Sequence, residues 1–188
     1  MRCFVAINLG DSLKKEIGAV VAGLSSGTWD VRWVPAENLH ITIKFLGEIS
    51  EDLAEKVKGE LSEVSGRHRS FDLNFCGVGV FPDRKRPRVV WIDLHYPTEL
   101  NKLQEEVEEY FSTIGLEREN RKFSPHLTIG RVRSLKGRES LLSALEGLRN
   151  RDFGNIEVGS ISLMKSDLKP AGAQYSVMTE FPLTRRNK

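Results

Sequence analysis

One four-residue motif occurs twice in this chain, His40-Ile41-Thr42-Ile43 and His126-Leu127-Thr128-Ile129, and the segments around the two copies repeat as well. Upstream of the first copy, Cys3 to Leu9 predicts a strand. Leu13, Ile17, Val20, Val21 and Leu24 then form a helical stripe opened by a cap at Asp11 or Ser12. Upstream of the second copy, Val89 to Leu94 predicts a strand, and a cap at Thr98 opens the stripe Leu100, Leu103, Val107, Tyr110 and Phe111. Downstream, Ser50 and Glu51 open a helix carrying Leu53, Val57, Leu61 and Val64. Arg138 and Glu139 open one carrying Leu141, Leu142, Leu145 and Leu148. Strand-like segments follow each, Phe71 to Val80 and Ile156 to Met164.

Both halves therefore read strand, helix, His-x-Thr strand, helix, strand. Repetition of the whole order predicts a duplication. The expected architecture is α+β: two lobes related by a pseudo-twofold axis, each a small, mainly antiparallel sheet with helices on its outer face, and a cleft between the lobes. Residues 1–188 form one bilobal domain on this reading. The repeats run approximately over 1–80 and 88–166, and terminal strands could be exchanged between the lobes. Gly- and Pro-bearing segments at Phe81 to Pro87 and Lys169 to Gly172 read as connections.

Composition narrows the class. With 188 residues, 39% of them hydrophobic and 29% charged, the chain is long enough to bury a core and unlike a disordered one. Apolar runs such as Val89-Val90-Trp91-Ile92 are far too short to span a membrane, and the N-terminal run reads as a buried strand rather than a signal peptide. Cys3 and Cys76 have neither metal-ligand spacing nor a disulfide framework, so a reducing cytoplasm is expected. The net charge of +2 does not by itself indicate a nucleic-acid partner. Two local clusters, Arg84-Lys85-Arg86-Pro87-Arg88 and Arg185-Arg186-Asn187-Lys188, are either phosphate contacts or solvated loops.

Side chains alternate across a strand, so His40, Thr42 and Lys44 share one face, and Ile41, Ile43 and Phe45 the other. The apolar set, Phe45 included, is expected on the helices. The polar set is expected toward a cleft, where His126 and Thr128 join it. A phosphodiester needs one group to take a proton from the nucleophile and another to protonate the leaving oxygen. Imidazole, titrating near pH 6.5, serves either purpose at cellular pH. Threonine hydroxyls can donate to non-bridging oxygens as charge builds. No carboxylate or thiol lies within either motif, so no metal and no cofactor is expected. The competing reading is structural: a strand histidine packs, and threonine favours β-structure. The other histidines, His68 and His95, lie outside such motifs.

The run Trp33-Val-Pro-Ala-Glu-Asn-Leu-His-Ile-Thr-Ile-Lys-Phe-Leu-Gly-Glu-Ile49 resembles the first motif region of the two-histidine (2H) phosphoesterases. Within them it resembles the RNA 2′,3′-cyclic phosphodiesterases, also called 2′-5′ RNA ligases of the LigT type. Phe123-Ser-Pro-His-Leu-Thr-Ile-Gly-Arg131 resembles the second motif, and Phe81 to Trp91, Leu163 to Gly172 and Tyr175 also fit. The resemblance implies hydrolysis of an RNA 2′,3′-cyclic phosphodiester to a 2′-phosphomonoester. It implies His40 as proton donor, His126 as proton acceptor, and Thr42, Thr128 and Arg131 on the phosphate. It further implies action on RNA ends, tRNA halves among them, and a reverse reaction forming 2′-5′ linkages without ATP; a monomer is expected.

Alternatives stay open on the residues alone. Arg131 lies on the face opposite His126 in an ideal strand, so either a bulge brings it round or it makes an outward salt bridge. Trp33 and Tyr175 either stack on a base or are buried. Rival functions are cleavage of another small cyclic phosphate or a 2′-5′ oligonucleotide, a non-catalytic RNA-end binding module, and a structural metal site on the two histidines.

Overall fold

The computed structural model describes residues 1–170 and 172–185, so Ala171 of the second connection and Arg186, Asn187 and Lys188 of the basic tail lie outside it. The chain runs β1 (Arg2–Asn8), α1 (Asp11–Ser25), β2 (Val31–Trp33), β3 (His40–Glu48), α2 (Glu51–Arg67), β4 (Phe71–Phe81), β5 (Val89–His95), α3 (Thr98–Thr113), β6 (Leu127–Val132), α4 (Arg138–Glu146), β7 (Asp152–Val158), β8 (Ser160–Lys169) and β9 (Gly172–Pro182). A 3-10 turn, Ala36–Asn38, leads into β3.

The helices form where the apolar period predicts and bury the expected faces. Leu13, Ile17, Val21 and Leu24 of α1, and Leu100, Leu103, Val107 and Phe111 of α3, are buried. Each fully buried aliphatic side chain contributes about 1.5–3 kcal/mol relative to leaving it in water. Only one of the expected caps forms. Ser50 accepts a hydrogen bond from the Leu53 amide at 3.2 Å, whereas Gly10 and Pro97 precede α1 and α3, which shifts Asp11 and Thr98 into the first turn. Leu53 is only partly buried, and Leu148 lies beyond the end of α4.

Among the described residues, nine strands form one sheet in the order β7-β4-β5-β6-β3-β1-β8-β9, with β2 also on β6. All named pairings are antiparallel. The two expected sheets are thus joined, and the joint is narrow: β3 and β6 meet through one residue pair, Ile41 with Leu127. Beyond it β2 replaces β3 beside β6, pairing Val31, Arg32 and Trp33 with Val132, Arg131 and Gly130. The sheet splays at this point, which opens the cleft. Strand β4 of the first half lies beside β5, and β8 of the second half lies beside β1. The segment expected as one strand from Ile156 to Met164 is two: β7 ends at Val158 beside β4, and β8 begins at Ser160 beside β1. The chain crosses between the lobes at Gly159.

Two β-bulges change which side chains face the cleft. On β3, Thr42 pairs with Ala6 and Lys44 with Val5, leaving Ile43 extra. On β6, Thr128 pairs with Trp91 and Gly130 with Val90, leaving Ile129 extra. Each bulge lies three residues after a motif histidine. An extra residue reverses the alternation that follows it. Lys44, expected on the His40 face, is therefore buried against α3, where Nζ lies 2.6 Å from Glu108 Oε2 and 2.8 Å from the Glu117 carbonyl. Phe45, expected in the core, is instead 69% exposed and lines the cleft. The same kind of reversal on β6 brings Arg131 round to the cleft, and among the described residues it makes no salt bridge.

Candidate active site

The single pair Ile41–Leu127 determines what the cleft contains. In the antiparallel register about it, His40 lies opposite Thr128 and His126 opposite Thr42, all four side chains projecting to one face. All four line one cavity of about 510 Å³, together with Arg131, Phe4, Phe45, Asn38, Leu168 and Tyr175. The sequence-predicted site residues are thus brought together. Lys44 is not among them, and neither is Trp33, whose ring packs over Gly130 so closely that a Cβ there would fall 2.9 Å from it.

The two imidazoles are held alike. His40 Nδ1 lies 2.7 Å from the Asn38 carbonyl, and His126 Nδ1 lies 2.8 Å from the Ser124 carbonyl. A carbonyl oxygen only accepts, so each Nδ1 carries the hydrogen and donates it. That fixes the tautomer and leaves each Nε2 as the group free to exchange a proton. The local chain supplies the two carbonyls differently. Asn38 closes the 3-10 turn and is tied to β9 by a 3.1 Å bond from its side-chain amide to the Ala173 carbonyl. Ser124 precedes Pro125, a position that favours extended backbone.

Aromatic rings fix the outer faces. Phe4 lies 4.8 Å and Tyr175 5.1 Å from the His40 ring centroid. Phe81 lies 5.3 Å and Trp91 6.4 Å from that of His126. Sequence reasoning singled out Tyr175; it placed Phe81, Trp91 and Asn38 in family-like segments without a site role, and missed Phe4. Burial pushes the His40 imidazole below its ordinary value, opposed by the bond to Asn38 and reinforced by the charges of Lys14 and Arg131. In the open cleft the neutral form of His40 is therefore favoured more than in an ordinary imidazole.

The basic loop lies elsewhere. Arg84 pairs with Glu146 at 3.0 Å, Arg138 donates to the Lys85 carbonyl at 2.9 Å, and none of Arg84 to Arg88 lines the cleft. Among the described residues no group of three His, Cys, Asp or Glu side chains is placed to hold a metal ion, and no helix is long and apolar enough to cross a membrane.

A cleft that presents two tautomerically fixed imidazoles and two hydroxyls to one volume has the equipment for proton transfer at an anionic ester. Comparison with known proteins gives the family. The family described as LigT like Phosphoesterase matches the chain twice, over residues 7–91 and 92–175. The chain is 32% identical over 183 residues, 97% of its length and 99% of the relative's, to an RNA 2′,3′-cyclic phosphodiesterase of Methanothermobacter thermautotrophicus. It is 36% identical over 181 residues, 96% of its length and 99% of the relative's, to one of Archaeoglobus fulgidus. The fold matches the crystal structure of a Thermus thermophilus protein, TT0787, with a TM-score of 0.82 at 23% identity, covering 100% of both chains. The chain belongs to the LigT-like phosphoesterase family. Its two family matches divide it near the middle, in keeping with the internal duplication.

Proposed function

We propose that the chain hydrolyses RNA 2′,3′-cyclic phosphodiester ends to 2′-phosphomonoesters by acid/base catalysis between His40 and His126. The observation that carries this reading is the mirrored bond from each Nδ1 to the carbonyl two residues earlier, on two imidazoles lining one cavity. The names of the relatives supply the substrate class. His126 Nε2 takes a proton from water as the water oxygen attacks phosphorus. The bond from phosphorus to the 3′ oxygen breaks, and imidazolium His40 gives its Nε2 proton to that oxygen. Thr42 and Thr128 donate to the non-bridging oxygens, and Arg131 offsets the developing charge. His126 leaves the step charged and His40 neutral; exchange with solvent restores both. With a 5′-hydroxyl RNA end in place of water, the same steps in the same direction join ends such as tRNA halves by a 2′-5′ linkage. On this reading the protein acts as a cytoplasmic monomer. The test of the reaction is turnover of an RNA ending in a 2′,3′-cyclic phosphate by chelator-treated protein, with the 2′-phosphate as product; absence of product contradicts it.

The lowered His40 value also supports a second assignment, in which His40 is the base and His126 the acid. A substrate with sulfur in place of the 3′ oxygen separates the two, because a thiolate leaves without a proton. If His40 is the acid, this substrate restores most turnover to His40→Ala and little to His126→Ala. The opposite pattern reverses the roles.

Two further outcomes follow. As proton donor His40 must be charged, and in the free enzyme the charged form is lost as pH rises through a value below about 6.5. A bound phosphate anion stabilises the imidazolium, so the alkaline limb of kcat lies at higher pH than that of kcat/KM. Coincident limbs would contradict this. Thr42→Val and Thr128→Val keep the shape but remove a donor, and each lowers kcat by about 10²-fold, the lower end for one such donor because two hydroxyls share the charge. Serine at either position restores most of the loss in the same assay.

A further inference from the structure

His40 and Tyr175 separate two basins. The first is the cleft. The second, of about 250 Å³, shares Asn38, His40 and Tyr175 with it and is otherwise walled by groups including Lys14, Glu37 and Val177. Lys14 stands in the first turn of α1 and is half buried. Its ammonium makes one contact, 3.4 Å to the Glu37 carbonyl, and no ion pair among the described residues. One contact that long leaves the ammonium with donors to spare, so an anion in this basin would pair with it. The charge acts at the reaction centre's edge, since it is felt at His40. Val177, 53% exposed, and Tyr175 add apolar surface of the kind that packs on a ribose or base.

We propose that this second basin is a subsite for the nucleotide preceding the cyclic end, with Lys14 binding its phosphodiester. The inference rests on the reading of the cleft given above. An RNA whose terminal cyclic phosphate occupies the cleft carries its next phosphate one nucleotide upstream, and a lone cyclic mononucleotide has none. The subsite therefore distinguishes an RNA end from a free cyclic nucleotide, a distinction the two histidines cannot make.

The experiment compares a trinucleotide ending in a 2′,3′-cyclic phosphate with a mononucleoside 2′,3′-cyclic phosphate, using wild type, Lys14→Ala and Lys14→Arg. Loss of the Lys14 charge also moves the pH profile of His40, and it does so for both substrates, so the readout is the ratio of kcat/KM values at each pH. Lys14→Ala lowers kcat/KM at least fivefold more on the trinucleotide, through KM, and Lys14→Arg keeps the wild-type ratio. The slope of log KM against log salt for the trinucleotide falls by about 0.7, one phosphate contact on a single strand. Equal changes on both substrates, or an unchanged ratio in Lys14→Ala, would overturn the subsite while leaving the cleft intact. Wild-type protein inactive on both substrates would overturn the reading of the cleft and the subsite with it.

Discussion

Replacing His40 or His126 by alanine lowers kcat on RNA ending in a 2′,3′-cyclic phosphate by about 10²–10⁴-fold each, the range supplied by one positioned acid or base. KM changes little, because the threonine hydroxyls and Arg131 remain in the cleft to hold the phosphate. The double variant falls far short of the product of the two losses. Proton donation to the leaving oxygen and proton removal from water act in one transition state, and removing either leaves the other with little to assist. Neither substitution leaves a buried charge behind, and neither side chain reaches the helix-side core, so Tm stays near the wild-type value. Rapid quench of a labelled oligonucleotide gives both constants. Near wild-type turnover in either variant would falsify the two-histidine account.

The second large effect concerns stability. Lys44 and Glu108 are only 5% and 7% exposed and lie 2.6 Å apart. Glu108 Oε2 also accepts from the Glu119 amide at 3.0 Å, and Oε1 accepts from Gln104 at 3.2 Å. Both charges are thus partnered in a region with little water. Lys44→Met leaves the carboxylate buried without its ammonium and costs about 3–5 kcal/mol, and Glu108→Leu strands the ammonium at similar cost. The double variant Lys44→Met/Glu108→Leu recovers most of the loss, since a well-packed apolar pair replaces an ion pair at small net cost. Urea unfolding of the four proteins gives the coupling energy. Strict additivity of the two losses would show that the pair does not interact as described. Lys44 follows the bulge at Ile43 that turns Phe45 into the cleft, so the single variants should also weaken substrate binding.

Much of this was legible from the residues. Apolar spacing gave α1, α2, α3 and α4, because an amphipathic stripe is a local pattern. The recurrence of His-x-Thr within a repeated order of elements gave the α+β duplication and pointed to His40, Thr42, His126 and Thr128. The bulges at Ile43 and Ile129 were not legible, because a bulge is imposed by the neighbouring strand's pairing and neither isoleucine differs in type from a regular strand residue. The first reversed the faces assigned to Lys44 and Phe45, and the second turned Arg131 to the cleft. The carbonyls of Asn38 and Ser124 left no trace either, since every residue carries one. Strand β2 was missed because three residues show no period. The first part of strand β7, Asp152 to Asn155, was missed because Gly154, at φ +106°, borders a register shift against β4 that leaves Phe153 extra. Phe4 and Trp91 reach the imidazoles only through strand pairing across the chain.

The most direct measurement is a crystal structure with a uridine 2′,3′-cyclic vanadate bound, a mimic of five-coordinate phosphorus. Nε2 of His40 and Nε2 of His126 are each expected within about 2.6–3.2 Å of an apical oxygen, on opposite sides of the vanadium. One imidazole turned away from the metal centre of the mimic, or both on the same side of it, would contradict the two-histidine mechanism.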